Sequence, residues 1–329
     1  MKTTGKLGRR GLMKGVGLTT LAAPALLAGV AHAQEDQMTE MPKDMPETKR
    51  FSMGELKFVV VRDGIRKMDN PGTIFGADQP PETVAALLRQ NFLPSDVSVN
   101  MFSPTLIDTG SQVMLFDTGM GEAGRSWGAG QLLKGLAAEG YGPEDIDVVV
   151  ITHMHGDHIN GLMEAGAPAF PNARYVFGQT EYDFWTDPAR IGTPAEGGHN
   201  AVKTMIVPLA EKASFIADGA SIAPGITAMD APGHTPGHMV FMVESAGRQL
   251  LLTADTANHY VLSLQRPDWQ VRFDTDPVMA SATRRRIFDM VAADGIPFLG
   301  YHMPFPAVGY AEKQGDGYRF VPASYQFEL

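Results

Sequence analysis

The chain has 329 residues, 44% of them hydrophobic, with no cysteine, nine histidines and a formal charge of −10. Without cysteine there is no disulfide framework, thiolate metal site, iron–sulfur cluster, cysteine nucleophile or lipoprotein anchor. The acidic balance argues against nucleic acid, whose partners carry a basic footprint. The apolar fraction suits a folded chain of one large domain or two ordinary ones.

Residues 1–33 have the layout of an export signal. Lys2, Lys6, Arg9, Arg10 and Lys14 precede an apolar run from Gly15 to Val30, and Ala31-His32-Ala33 is a small-residue cleavage site. The Arg9-Arg10 pair followed by Lys14 resembles a twin-arginine signal, so the expected location is periplasmic or secreted. The run is too short and glycine-rich to remain as a membrane anchor. Loss of its five basic residues deepens the charge from −10 to −15. Residues 34–50 are polar and proline-containing and read as a flexible lead-in.

From residue 51 to 329 the pattern is one continuous α/β unit. Leu56–Val61 reads as a strand and Pro81–Arg89 as a helix with proline at its start. Two apolar runs between Val99 and Asp117 flank Thr109-Gly110-Ser111-Gln112, a hairpin signal. Gln131–Glu139 reads as a helix stopped by Gly140, and Asp147–Ile151 is a β-branched run typical of a buried strand. Further strands are expected at 174–177, 226–229, 239–243, 249–253 and 296–299. Thr283–Ala293 reads as a helix whose Arg284-Arg285-Arg286 run forms a solvated face with structural pairs. A hairpin turning at Gly315-Asp316-Gly317 closes the tail.

The strongest chemical signal is Thr152-His153-Met154-His155-Gly156-Asp157-His158, directly after the buried strand. On an extended backbone, residues i and i+2 point to the same side, so His153 and His155 can grip one ion. Asp157 and His158 follow in the next turn, where they can face a second ion. Imidazole and carboxylate suit zinc and similar borderline metals. Later segments offer further ligands: His234 in Pro232-Gly233-His234-Thr235-Pro236-Gly237-His238, Asp255 after a strand, and His302 after another.

These motifs, in this order, resemble the metallo-β-lactamase-fold hydrolases from about Leu56 to the C-terminus. The resemblance implies a four-layer αβ/βα sandwich with the site at one edge of two sheets. By position it assigns His153, His155 and His234 to one metal, and Asp157, His158 and His302 to the other. Asp255 would bridge them, and Asp157 and Asp255 are the catalytic carboxylates. Asp117 would support a ligating histidine from behind, or serve only as a turn residue. His238, His199 and His259 are expected to be structural. Phe184, Trp185 and Phe305 are candidate apolar walls of the substrate pocket.

Within the superfamily, the absence of cysteine sets aside the commonest β-lactamases. The tail from Gly300 to Pro322 looks like that of methyl parathion hydrolases and their lactonase or arylesterase relatives. The expected function is therefore dinuclear hydrolysis of lactones or aryl esters by a hydroxide bridging two divalent ions. Zinc is the first choice of metal, and manganese, iron or cobalt the others. Organophosphate triesters are a promiscuous substrate. The alternatives are a dedicated phosphotriesterase and, from a different class, a non-catalytic metal-binding protein. The expected partner is a small-molecule substrate, with no nucleic acid and no membrane anchor in the mature form; the oligomeric state, a homodimer among the options, stays open.

Overall fold

A computed structural model describes residues 48–324. The chain divides into two units, residues 1–45 and 46–329, and every described residue lies in the second. The export signal and most of the lead-in lie outside the described residues.

β1 (Thr48–Met53) and β2 (Leu56–Val61) form a hairpin, Thr48 opposite Val61. Thr48, Lys49 and Arg50, expected in the flexible lead-in, are thus part of the fold. β3 (Gly64–Asp69) and β4 (Val97–Phe102) form a separate antiparallel ribbon. β5 (Thr105–Asp108) and β6 (Val113–Phe116) meet at the expected turn, where Thr109 N–H donates to the Gln112 carbonyl. Ser103-Pro104 breaks the first expected run in two, separating the ribbon from this hairpin. β7 (Val148–Ile151), β10 (Arg174–Gly178) and β11 (Ala213–Ile216) complete the first sheet, in the order β1-β2-β5-β6-β7-β10-β11, after a short pair β8 (Met163–Glu164) and β9 (Ala167–Pro168). The second sheet runs in chain order: β12 (Ser221–Ala223), β13 (Ile226–Asp230), β14 (Met239–Ser245), β15 (Arg248–Ala254), β16 (Phe298–Gly300), β17 (Val308–Gln314) and β18 (Gly317–Pro322).

The strand sequences explain the layering. In β7, Val148 and Val150 enter the core between the sheets, while Val149 and Ile151 face the opposite way, into a second core. In β2, Phe58 and Val60 divide from Val59 and Val61 in the same manner. Strands buried on both faces read as unbroken apolar runs rather than alternations. The second core takes Leu132 and Leu136 from helix Leu132–Ala138, Trp185 from helix Gln179–Thr186 and Val202 from helix Glu196–Met205. Beyond the second sheet, helix Pro277–Asp294 contributes Ile287, Phe288 and Val291. The architecture is a helix–sheet–sheet–helix sandwich, the metallo-β-lactamase fold. No helix of the described residues is long and apolar enough to cross a membrane.

Helix Pro277–Asp294 begins six residues before the expected start. Asp276 caps it by accepting from Met279 N–H, and Pro277 occupies the first turn, where no N–H is needed. Its arginine run needs a correction. Arg284 is 1% exposed and points inward, because Asp274 and three backbone carbonyls satisfy its guanidinium. Only Arg285 and Arg286 reach the surface, to Asp268 and the Asp230 carbonyl.

Candidate metal centre

The seven ligand candidates come from four strand ends. β7 stops at Ile151, and the chain stays extended through His155 (φ −75°, ψ 154°) before the short helix Gly156–Ile159, which carries Asp157 and His158. His234 lies in the loop after β13, Asp255 directly after β15 and His302 just after β16. At Gly233 the backbone has φ +125°, and a Cβ there would lie 2.2 Å from Ala280 N, so glycine lets this loop lie against helix Pro277–Asp294.

These loops bring all seven side chains together. His153 Nε2 and His155 Nδ1 are 3.1 Å apart, and His155 Nδ1 is 3.0 Å from His234 Nε2. His153, His158 and Asp255 form a second group, and Asp157, His158 and His302 a third, each with donor atoms within 4.8 Å. Asp255 lies between the ends of the cluster: Oδ2 is 3.3 Å from His234 Nε2 and 3.0 Å from His302 Nε2, and Oδ1 is 3.3 Å from His158 Nε2.

The far nitrogens aim the rings. His158 Nδ1–H donates to Asp117 Oδ2 at 2.8 Å, His234 Nδ1–H to Asp274 Oδ1 at 2.9 Å and His302 Nδ1–H to the Met101 carbonyl at 2.7 Å. Each bond leaves the Nε2 lone pair facing the cluster. Asp117 also accepts from Thr152 N–H and Oγ1–H, which ties β6 to the His153 strand end. Glu181, buried, accepts from Met154 N–H and Gly237 N–H and so joins the two histidine loops. His238 stands outside the cluster's ligand groups: its Nδ1–H donates to the Ala231 carbonyl and its Nε2 accepts from Asp255 N–H. His199 bonds the Trp185 carbonyl, and His259 accepts from Val261 and Leu262 N–H.

The cluster fits a pair of divalent cations. His158 Nε2 and Asp255 Oδ1 are buried without a hydrogen bond, an expensive arrangement unless an ion takes both. Burial, then the charges of neighbouring histidines, holds His153 and His155 well below the usual imidazole range. At His234 burial opposes protonation, but Asp255 and Asp274 prevail and push it up to about 9. His158 and His302 are raised against the same burial, by Asp117 and Asp255 and by Asp255 and Asp157 respectively. Asp255 is driven well below the carboxylate range despite its burial, by His302 and His158. Without metal, these carboxylates recruit protons to supply the cationic charge; bound cations would take their place. These nitrogen and oxygen donors could hold a dinuclear divalent-metal centre.

The centre floors a cavity of about 310 Å³ whose walls include Arg66, Met68, Asn100, Phe102, Met120 and Phe273. The three expected wall residues are not among its lining. Trp185 is buried behind His155, ring centroids 5.9 Å apart, because its indole N–H is committed to Glu181. Phe184 lies under the Arg190 guanidinium, and Phe305 packs on the core between the sheets. Sequence reasoning missed the β3–β4 ribbon as a wall, along with Asp274, Glu181 and Asn258, whose Nδ2–H donates to Asp255 Oδ2 at 2.9 Å. Asn258, three residues after Asp255, was within reach of local reading. Asp274 and Glu181 carry no local signal.

Residues 103–292 match the model of the metallo-β-lactamase superfamily. An N-acyl homoserine lactonase of Bacillus cereus is 24% identical over 197 residues, 54% of this chain and 72% of the relative. Two solved structures are similar over 87% of this chain and all of their own. One is AidC, a dizinc quorum-quenching lactonase, at 26% identity and a TM-score of 0.79. The other is the hydrolase AbOPH of the β-lactamase superfamily, at 25% and 0.78. The chain belongs to the metallo-β-lactamase superfamily, among its metal-dependent hydrolases.

Proposed function

We propose that this protein opens lactone rings, N-acyl homoserine lactones foremost, at a dinuclear centre held by His153, His155, Asp157, His158, His234, Asp255 and His302. The observation that carries the reading is the convergence of these seven side chains, two of their buried atoms otherwise unsatisfied, at the floor of one cavity. Bound ions, zinc first and manganese, iron or cobalt as alternatives, supply a nucleophilic water at neutral pH and a Lewis acid for the carbonyl oxygen.

The protein groups do the rest. Asn258 Nδ2–H donates to Asp255 Oδ2, so this carboxylate holds position between the two halves of the centre. Asp157 is the more open of the two carboxylates, 23% exposed and 3.5 Å from His302 Nε2. Its Oδ2 is placed to receive a proton and return it to the alkoxide oxygen that leaves the carbonyl carbon. Met68, Phe102, Met120 and Phe273 offer an acyl chain an apolar bed. Arg66 and Asn100, opposite each other in the ribbon, offer donors to a side-chain carbonyl. The likeness to N-acyl homoserine lactonases and to AidC supports this substrate class.

The aromatic residues Phe102 and Phe273 favour a second reading, aryl esters and organophosphate triesters as substrates of the same apparatus. The test is kcat/KM of the metal-loaded protein on matched N-acyl homoserine lactone, aryl ester and phosphotriester substrates. The lactone is expected to lead by about ten-fold or more, which corresponds to roughly 1.4 kcal/mol of transition-state preference. A leading phosphotriester would select the second reading. Two bound metals with no turnover on any substrate would leave a metal-binding protein.

A further inference from the structure

Helix Pro277–Asp294 carries one side chain with more bonds into the metal loops than any sequence motif suggests. Arg284 is buried, and its Nε–H donates to the Thr256 carbonyl at 2.8 Å, in the residue after Asp255. One terminal nitrogen donates to the Pro267 carbonyl at 2.9 Å and lies 3.4 Å from that of Trp269; the other donates to Asp274 Oδ2 at 3.2 Å. The second oxygen of Asp274, Oδ1, takes the Nδ1–H of His234. A single guanidinium therefore grips the loop that follows Asp255 and the carboxylate that aims His234. Its planar fork suits this set of acceptors; the point charge of a lysine does not.

We infer that Arg284 and Asp274 are a positioning pair that sets how tightly the His153–His155–His234 group holds its ion. The inference rests on the metal-centre reading above. Arg284 holds Asp274 with Oδ1 turned to His234, Asp274 fixes the ring with its Nε2 lone pair inward, and the Thr256 contact seats Asp255 in step. Asparagine at 274 keeps one acceptor oxygen in place of two, so its NH2 would face the donor of either His234 or Arg284. Outer partners of this kind typically change metal affinity 10- to 100-fold.

The experiment is graded chelator removal from purified metal-loaded protein, with metal per chain counted by atomic emission and Tm measured in parallel. Asp274→Asn is expected to release one of two metals at a chelator concentration about 10- to 100-fold lower than wild type. Arg284→Lys shifts release in the same direction and adds less than its own shift in the Asp274→Asn background, because the two share the path through Asp274 to His234. Arg285→Ala, on the same helix but paired with surface Asp268, leaves release unchanged. Unchanged release in Asp274→Asn overturns the inference, even with a lowered Tm, and so do additive shifts in the double variant. If Arg284→Lys does not fold, Asp274→Asn carries the test alone. Wild-type protein that binds no metal overturns the metal-centre reading itself, and this inference with it.

Discussion

His259 illustrates how a buried residue outside the centre shapes the protein's response to pH. It is buried, accepts from two backbone N–H groups and stacks on Tyr260, with ring centroids 5.2 Å apart. Burial pushes its imidazole down to about 4, below the ordinary 6.5. The unfolded chain therefore takes up a proton here before the folded one does. Stability from this group is complete above about pH 6.5 and is lost as pH falls from there towards 4. His259→Asn keeps an acceptor near Nδ1 but removes the titration. Between pH 7 and 5, wild type is expected to lose about 2 kcal/mol more than the variant, at roughly 1.4 kcal/mol per pH unit. Denaturant midpoints at both pH values check this; parallel pH profiles would refute it. At the same scale, the motif histidines were legible because their spacing on an extended strand end implies a shared target. His238 was rightly read as structural, though its bonding partner was not legible, and Trp185 was misread as a pocket wall. Each role is decided by a hydrogen bond to a residue far away in sequence or across a turn, to Asp255 N–H and to Glu181.

At the scale of elements, helix Pro277–Asp294 and the loop after β13 behave as one unit. Thr283 Oγ1–H donates to the Pro232 carbonyl at 2.6 Å, Asp276 N–H to the Gly233 carbonyl at 2.9 Å and Thr275 N–H to the His234 carbonyl at 2.9 Å. Gly233→Ala would put a methyl group against the Ala280 backbone at a φ that side chains rarely adopt. The expected cost is at least about 1–3 kcal/mol, from strain before any clash, with loss of metal because His234 moves with the loop. Chemical denaturation and metal analysis of the variant check both effects; wild-type values for both would refute this account of the loop. Most strands were readable as short apolar runs; β1, β11 and β12 were not. The β3–β4 ribbon was not, because it covers the cavity instead of filling a sheet, and its Gly64–Asp69 strand is largely polar and charged.

At the scale of the whole molecule, the centre joins the two sheets. His153 follows a strand of the first sheet, while His234, Asp255 and His302 follow strands of the second. Metal held by these residues would therefore tie both halves of the sandwich together, and its binding energy would become folding energy. Removal of both metals with a chelator is expected to lower Tm by roughly 15–30 °C. That figure combines about 4 kcal/mol per tightly held ion with about 2–4 °C per kcal/mol for a domain of this size. Restoration of Tm by added zinc checks it; an unchanged Tm in protein shown to be metal-free would refute it.

The sequence by itself determined the α/β class, the run of buried strands and the seven candidate ligands. These rest on local properties, periodicity, β-branching and the spacing of His153 and His155 along an extended chain, and, for His234, Asp255 and His302, on the resemblance of their motifs to the family. Only the tertiary structure decided what surrounds the ligands. Asp274, Arg284, Glu181 and the cavity walls act through contacts between loops distant in sequence. Nothing in their own neighbourhoods marks them, because an orienting hydrogen bond or an apolar wall needs only the right position in space.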